Sequence, residues 1–160
     1  MHPDWNASTI PGVYWRVLHI HTDPRGSLAE IFRSDELPQD LHPLMAYLSW
    51  TLPGVTRGPH EHREQTDYFC FPGPGLFRIY LWDARAHSAS YGLQETLELG
   101  ASRPGMVIVP PGVVHAYRNI ASEPGLVVNC PNRLYRGPGR NQPVDEIRHE
   151  NNPASPYRLE

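Results

Sequence analysis

The sequence predicts an all-β domain, either a sandwich or a barrel, built from many short strands. Its 18 prolines and 13 glycines fall between short apolar runs instead of clustering in one tail. Breakers spaced in this way separate strands more readily than long helices. No segment carries a helical stripe over about 12 residues, and residues 35–41 are expected to form one helical turn at most.

The candidate strands follow the apolar runs between these breakers. They cover residues 13–20, 27–32, 44–52, 67–71, 76–82, 94–99, 106–109 and 126–129. Alternation is clearest in the fifth, where Phe77, Ile79 and Leu81 share one face and Arg78, Tyr80 and Trp82 share the other. Composition alone does not separate a sandwich from a barrel.

Length and charge limit the classes of function. A chain of 160 residues fits a single domain, 1–160, and a domain of this size needs no disulfide or metal merely to fold. The formal net charge of −3 offers no basic footprint for nucleic acid, and no apolar run of about 18 residues predicts a membrane span. The polar, Pro-rich extension 137–160 is expected to wrap over the barrel or to reach a neighbouring subunit.

Two further features favour a cytoplasmic location. Cys70 and Cys130 lie inside apolar segments, which predicts two buried thiols in place of a disulfide. The first five residues lack the basic start and the apolar stretch of a secretory signal.

The first motif that carries chemistry is Gly58-Pro59-His60-Glu61-His62. Residues two apart on a strand point to one face, so His60 and His62 are expected to enter the same cavity. Two imidazoles on one face are a usual start of a divalent metal site. The accompanying carboxylate is left open: Asp67 serves if the chain turns after His62, whereas strict strand parity selects Glu64.

The second motif runs from Gly105 to Asn119 and places a histidine three residues beyond a Pro-Gly turn, with Pro110, Gly112, His115 and Asn119 as its key residues. Two histidine-bearing segments about 55 residues apart resemble the paired motifs of the cupin superfamily. The resemblance implies a cupin jelly-roll barrel, also called a double-stranded β-helix. It further implies that His60, His62 and His115 converge.

A closer resemblance covers roughly residues 13–149. Four segments in order are similar to motifs of the dTDP-4-dehydrorhamnose 3,5-epimerase family. They are Asp23-Pro24-Arg25-Gly26-Ser27-Leu28-Ala29-Glu30, Gly54-Val55-Thr56-Arg57-Gly58-Pro59-His60, Trp82-Asp83-Ala84-Arg85 with Ser88-Ala89-Ser90-Tyr91-Gly92, and Pro110-Pro111-Gly112-Val113-Val114-His115-Ala116-Tyr117.

This resemblance implies an epimerase or isomerase of dTDP-rhamnose biosynthesis, which removes a proton next to the ketone of a nucleotide-activated 4-keto-6-deoxy sugar. His60 matches the base, and imidazole has a pKa suited to that task. Asp145 loosely matches the acidic partner of the base. The family also implies a homodimer, a nucleotide sugar as the small-molecule partner and no required cofactor.

The resemblance assigns further residues to substrate binding. Arg57 and His115 are expected to lie around the enolate oxygen, which needs positive or hydrogen-bonding groups. Arg25 and Glu30 match positions near the nucleotide or pyrophosphate, where a guanidinium suits phosphate oxygens. Tyr117 shares the face of His115 and is expected in the same pocket.

Three departures from the family pattern concern the chemistry. The family's lysine is missing, since residues 62–82 contain none. Its acidic tyrosine would fall near Val128 or Asn129, and Tyr135, which is nearby in sequence but out of register, is the candidate for this catalytic role. His62 stands where the family has glutamine. A divalent ion (Fe, Mn, Ni or Zn) bound by His60, His62, Asp67 and His115 would supply an electrophile in place of the lysine.

Three functions therefore remain open. The first is epimerisation or isomerisation of a nucleotide-activated keto-sugar. The second is a metal-dependent cupin enzyme acting on another small molecule, and the third is a non-catalytic cupin that binds a sugar or a metal. The fold does not choose among them, because function resides in the site.

Overall fold

Two antiparallel β-sheets pack face to face in the computed structural model, which describes residues 4–159. The ends of the predicted domain 1–160 and of the extension 137–160 therefore lie outside the described residues. The predicted all-β jelly roll is confirmed. No helix within residues 4–159 has the length and apolarity to cross a membrane.

Thirteen strands make up the described chain. In chain order they are β1 (Asn6–Ala7), β2 (Tyr14–Val17), β3 (Ile20–Asp23), β4 (Gly26–Ala29), β5 (Tyr47–Thr51), β6 (Thr56–Glu61), β7 (Asp67–Phe71), β8 (Leu76–Asp83), β9 (Gln94–Gly100), β10 (Gly105–Val109), β11 (Val113–Asn119), β12 (Gly125–Asn129) and β13 (Ile147–Arg148). One sheet has the order β1-β2-β10-β7-β12-β5, the second has the order β13-β6-β11-β8-β9, and β3 and β4 form a separate hairpin.

Most predicted strands are present with small changes in their ends. The predicted strand 13–20 is divided: β2 ends at Val17, and Ile20 begins β3 of the separate hairpin. The expected turn at 35–41 forms two short 3₁₀ turns, Ser34–Glu36 and Gln39–Leu41. The apolar pattern misses β6 and β11, the two strands that carry the histidine motifs.

The interior between the two main sheets is filled by alternate residues of their strands. Phe69 and Phe71 of β7 face Phe77 and Ile79 of β8 in one buried cluster. Parity then requires Asp67, the first residue of β7, to point into the same interior, and it is 1% exposed. The sandwich thus contains one carboxylate at the end of an otherwise apolar layer.

The outer face of the five-stranded sheet is also covered. Tyr80 and Trp82 lie there, and Tyr157 and Leu159 of the C-terminal segment pack against them. The same segment contributes β13, which pairs with β6. Both faces of β8 are therefore buried at its C-terminal end, although its sequence alternates.

A bulge in β6 brings the two histidine strands into register. His115 pairs with His60 and Tyr117 pairs with Arg57, so β6 has one more residue than β11 between these pairs. Gly58 lies in the bulge with φ of +85°, and a Cβ there would be 2.5 Å from the carbonyl oxygen of His115. Glycine is required here by both its conformation and the close approach of the strands.

Candidate functional site

Four potential ligand residues meet at one end of the sandwich interior. The side chains of His60, His62, Asp67 and His115 each place one nitrogen or oxygen so that all four atoms lie within 4.8 Å of one another. We call these four residues the histidine cluster. The structure thus brings together the three histidines of the two motifs and Asp67.

Both main sheets contribute to the histidine cluster. His60 and His115 are cross-strand partners on β6 and β11, and their ring centroids are 4.4 Å apart. Asp67 comes from β7 in the opposite sheet. His62 follows the end of β6, and its ring lies 5.7 Å from that of His60.

The Asp67 carboxylate is the centre of the polar contacts. Its Oδ1 accepts hydrogen bonds from the side-chain amides of Gln65 and Asn129, each at 2.8 Å. Its Oδ2 lies 3.0 Å from Nε2 of His62 and 3.3 Å from Nε2 of His115. One oxygen is therefore fully bonded, and the other faces two imidazoles.

Main-chain carbonyls set the orientation of both imidazoles. Nδ1 of His115 is 3.0 Å from the carbonyl oxygen of Val113, and Nδ1 of His62 contacts the carbonyl oxygen of Asp145. A carbonyl only accepts, so each Nδ1 carries a proton, and Nε2 of each ring faces the Asp67 carboxylate. Second contacts of this kind are typical of histidines that bind metal ions.

Two buried atoms of the histidine cluster, Oδ2 of Asp67 and Nε2 of His115, make no well-aligned hydrogen bond among residues 4–159. Oδ2 of Asp67 is shared between two imidazoles, 3.0 Å from Nε2 of His62 and 3.3 Å from Nε2 of His115, and a metal ion bound among these atoms would satisfy all three. When two ligand atoms each lie about 2.1 Å from one metal ion, and the angle between them at the ion is about 90–110°, they are roughly 3.0–3.4 Å apart. The observed separations from Asp67 to both histidines fit such an ion.

The surroundings of the cluster shift the pKa values of His60 and His62 in opposite directions. Burial and the neighbouring His115 lower the pKa of His60 to about 2, so this imidazole is neutral near pH 7. Burial also opposes charge on His62, but the Asp67 carboxylate prevails and raises the pKa of His62 to about 9. Burial opposes charge on Asp67 as well, yet His115 and His62 hold its pKa below the usual range.

Asp145 contacts the turn after β6. Its carboxylate accepts hydrogen bonds from the backbone N–H groups of Arg63, Glu64 and Gln65, each at 2.9 Å. Its main-chain carbonyl contacts the ring of His62, and none of its contacts among residues 4–159 is with His60. The Glu64 side chain points away from the cluster and pairs with Arg133 at 3.1 Å, so Asp67 is the carboxylate that joins the histidines.

Arg57 and Tyr117 lie next to the cluster on the same pair of strands. The Arg57 guanidinium donates to Oγ1 of Thr51 at 3.0 Å and to the carbonyl oxygen of Trp50 at 2.9 Å. The Tyr117 hydroxyl lies 3.4 Å from Oγ of Ser49, and burial raises the pKa of Tyr117.

Three predicted site residues are not brought to the cluster within this chain. Arg25 is at the tip of the β3–β4 hairpin and pairs with Asp23 of the same hairpin. Glu30 follows that hairpin and lies 3.4 Å from Arg33. Tyr135 is 53% exposed, and its backbone N–H contacts the sulfur of Met45.

Sequence reasoning missed three residues that complete the polar surroundings of Asp67. Gln65 and Asn129 bond its Oδ1, and the Asn129 amide also donates to the Tyr47 hydroxyl at 2.9 Å. Gln65 lies in a turn and Tyr47 in a predicted strand, and no local pattern marks either one. Asn129 is the last residue of the apolar strand β12, at the position where the family's tyrosine is expected. A polar residue at this position was the one feature of the sequence that could have marked Asn129 as part of the site.

A jelly roll with a buried histidine cluster between its sheets defines a cupin-type protein. The chain belongs to the dTDP-4-dehydrorhamnose 3,5-epimerase family, whose model matches residues 7–142. Among curated proteins it is similar to a probable low-salt glycan biosynthesis epimerase of Haloferax volcanii. The two are 36% identical over 127 residues, which cover 79% of this chain and 81% of the relative.

Solved structures share the fold. A dTDP sugar isomerase from Desulfovibrio desulfuricans matches with a TM-score of 0.79 and 24% identity over 93% of this chain and 91% of that one. A 3′-monoepimerase from Streptomyces bikiniensis, in complex with dTDP-quinovose, matches with a TM-score of 0.75 and 23% identity over 92% of this chain and 72% of that one. At these identities the likeness establishes the fold.

Proposed function

We propose that this chain is an epimerase of a nucleotide-activated 4-keto-6-deoxy sugar, with His60 as the base that removes the proton next to the ketone. The observation that carries the proposal is a neutral, partly exposed imidazole in a largely buried polar cluster. His60 is partly exposed, and its side chain has no hydrogen bond among residues 4–159. Family membership and the epimerase relative support the same chemistry.

The proposed step is a proton transfer. The C–H bond next to the ketone breaks, its proton passes to a ring nitrogen of His60, and its electron pair forms an enolate on the carbonyl oxygen. A ring with a pKa near 2 is a weak base in the free protein. A diphosphate and a developing enolate bring negative charge close to the ring, and that charge raises the pKa of an imidazole.

Arg57 is the proposed electrostatic partner of the anionic substrate. Its guanidinium uses Nε and Nη2 in bonds to the protein, and a guanidinium has five N–H groups in all. The remaining donors can meet an oxygen of the diphosphate or the enolate. His115 and Tyr117 are the proposed neighbours of the sugar, because both lie on the interior face of β11.

A direct experiment is to incubate the protein with dTDP-4-keto-6-deoxyglucose and follow the sugar protons by NMR. We expect new signals of a sugar inverted at C3, C5 or both. The variant His19→Asn, which changes an exposed histidine, is the control and should retain the activity. A substrate that keeps its configuration and all its C–H protons after prolonged incubation would contradict the proposed function.

The second candidate is a metal-dependent enzyme, favoured by the short distances from Oδ2 of Asp67 to Nε2 of His62 and to Nε2 of His115. The histidine cluster would bind a divalent ion such as Fe, Mn, Ni or Zn. Such an ion supplies a Lewis acid at a carbonyl oxygen. If His60 is also a ligand, its lone pair is not available as a base, so the two candidates differ in the role of that residue.

Metal analysis separates these candidates. For a metal enzyme, the purified protein should contain about one ion per chain, and the variants Asp67→Asn and His62→Gln should lose it. His21→Gln changes an exposed histidine whose ring lies 4.8 Å from that of His19, and it is the matched control. Protein that binds no divalent ion in calorimetric titration yet epimerises the sugar would exclude the second candidate.

We also propose that the chain forms a homodimer. Strand β5 is an edge of the six-stranded sheet, and its Leu48 and Trp50, followed by Leu52, are 63%, 52% and 63% exposed. An unpaired apolar edge is normally covered, and a second copy would cover it. Light scattering of dilute protein should therefore give twice the mass of the chain.

A cytoplasmic location is part of the proposal. Cys70 and Cys130 are both buried free thiols, which is the usual state of cysteine in a reducing compartment. Fractionation of the source cells with an antibody against the protein tests this location.

A further inference from the structure

Asn129 and Tyr47 are cross-strand partners in the antiparallel pair β12–β5. Every second residue of β5 faces the cluster. The Ser49 hydroxyl contacts the Tyr117 hydroxyl, and the Thr51 hydroxyl accepts a hydrogen bond from Arg57. By strand parity Tyr47 belongs to the same face. A phenol on β5 therefore lies beside the position on β12 where the family's tyrosine is expected.

The hydrogen bonds of Asn129 show that the Tyr47 hydroxyl oxygen is an acceptor. Oδ1 of Asn129 accepts a hydrogen bond from the backbone N–H of Tyr68 at 3.0 Å, which fixes the orientation of the Asn129 amide. Its Nδ2 then donates one proton to Oδ1 of Asp67 at 2.8 Å and the other to the Tyr47 oxygen at 2.9 Å. Tyr47 is thus an acceptor in this contact, and its own O–H proton remains free for another partner.

The phenol and the proposed base come from opposite sheets. His60 is on β6 of the five-stranded sheet, and Tyr47 is on β5 of the six-stranded sheet. A sugar ring that enters between the ends of the two sheets would have the imidazole on one face and the phenol on the other. Tyr47 is 46% exposed, so a substrate can reach it.

We propose that Tyr47 is the catalytic acid that protonates the enolate on the face opposite His60; this inference rests on the proposed epimerase function. His60 takes the proton from carbon, the enolate collapses to the ketone, and the new C–H bond forms with the proton of the Tyr47 hydroxyl. The products of the step are the inverted sugar, a phenolate at Tyr47 and an imidazolium at His60. Solvent water then returns a proton to the phenolate and removes one from the imidazolium.

The surroundings of Tyr47 keep its proton in place before the reaction. Partial burial raises the pKa of Tyr47 to about 12, against an opposing effect of the Asn129 hydrogen bond. The phenol is therefore protonated near neutral pH, and the amide of Asn129 is positioned to stabilise the phenolate that forms.

The test compares wild-type protein with Tyr47→Phe in D₂O, using dTDP-4-keto-6-deoxyglucose. Loss of the acid should leave proton removal intact, because His60 can return a deuteron to the same face. Tyr47→Phe should therefore exchange the C–H proton within about tenfold of the wild-type rate, while formation of the inverted sugar falls by about 10²–10⁴-fold. Tyr91→Phe, at a tyrosine that is 64% exposed, is the matched control and should change neither rate.

The alternatives give different results. Inversion by Tyr47→Phe within threefold of the wild-type rate would overturn the assignment of Tyr47. Loss of both exchange and inversion, in a variant with the wild-type melting temperature and circular dichroism, would also overturn it, because Tyr47 would then act before proton removal. Wild-type protein that shows no exchange would instead refute the epimerase function on which the inference rests.

Discussion

The main-chain carbonyl of Asp145 accepts a hydrogen bond from Nδ1 of His62, although 83 positions separate the two residues in sequence. The Asp145 carboxylate also accepts the backbone N–H groups of Arg63, Glu64 and Gln65. One residue of the C-terminal segment therefore positions both the ring of His62 and the turn that leads to Asp67.

Replacing Asp145 with alanine should loosen this turn. Three N–H groups lose a charged acceptor, so we expect the free energy of unfolding to fall by about 1–3 kcal/mol. Amide hydrogen exchange at residues 63–65 should also become faster. Glu150→Ala, at an exposed position of the same segment, is the control. Unchanged exchange at residues 63–65 in Asp145→Ala would contradict the role of Asp145.

Asp83 should stabilise the fold in a pH-dependent way. Its buried carboxylate accepts Nε of Arg85 at 2.7 Å and the hydroxyls of Ser88 and Ser90, each at 2.5 Å. Burial opposes its charge, but these bonds hold the pKa of Asp83 below its usual 3.8. The stabilisation is therefore present above pH 3.8 and is lost as the pH falls toward the folded-state pKa.

Chemical denaturation of Asp83→Asn at several pH values checks this expectation. At pH 7 the variant should be less stable by roughly 3 kcal/mol, the usual cost of breaking a buried charged network. The difference from wild type should shrink below about pH 4. Glu98→Gln, which breaks an exposed pair with Arg78, should cost less than about 1 kcal/mol. If the difference in the free energy of unfolding between wild type and Asp83→Asn stays constant from pH 7 to pH 3, the Asp83 carboxylate is not the source of the pH dependence.

The C-terminal segment should contribute to stability by packing. The Tyr157 ring lies 5.7 Å from that of Trp82 and 4.7 Å from that of His149. Tyr157→Ala should lower the free energy of unfolding by about 2–4 kcal/mol, since an aromatic side chain is removed from a packed layer. Tyr91→Ala, at a side chain that is 64% exposed, is the control. Equal stabilities of the two variants would show that the segment does not support the sheet.

The cupin fold and the histidine cluster could be predicted from the sequence because their signals are local. A Pro-Gly turn before His115 and a His-x-His pair are each contained within a few residues, and the order of the motifs indicates how the strands meet. The choice between Asp67 and Glu64 could not be predicted. It depends on the turn after Glu61, where β6 ends and strand parity no longer applies.

The contacts of Tyr47 and Asp145 could not be predicted, because they depend on strand register and on a distant segment. Tyr47 reaches Asn129 only when β5 and β12 pair in the observed register. Asp145 reaches the turn at 63–65 only when the C-terminal segment runs along the edge of β6. Contacts between residues about 80 positions apart leave no local pattern.

The central claim is that His60 removes a proton next to the ketone. The measurement that tests it most directly is the rate of deuterium incorporation into dTDP-4-keto-6-deoxyglucose in D₂O, for wild-type protein and for His60→Asn. The account predicts incorporation by wild type and a loss of at least about 10²-fold in His60→Asn, with the folded structure retained. Incorporation by folded His60→Asn within about tenfold of the wild-type rate would contradict the assignment of His60 as the base.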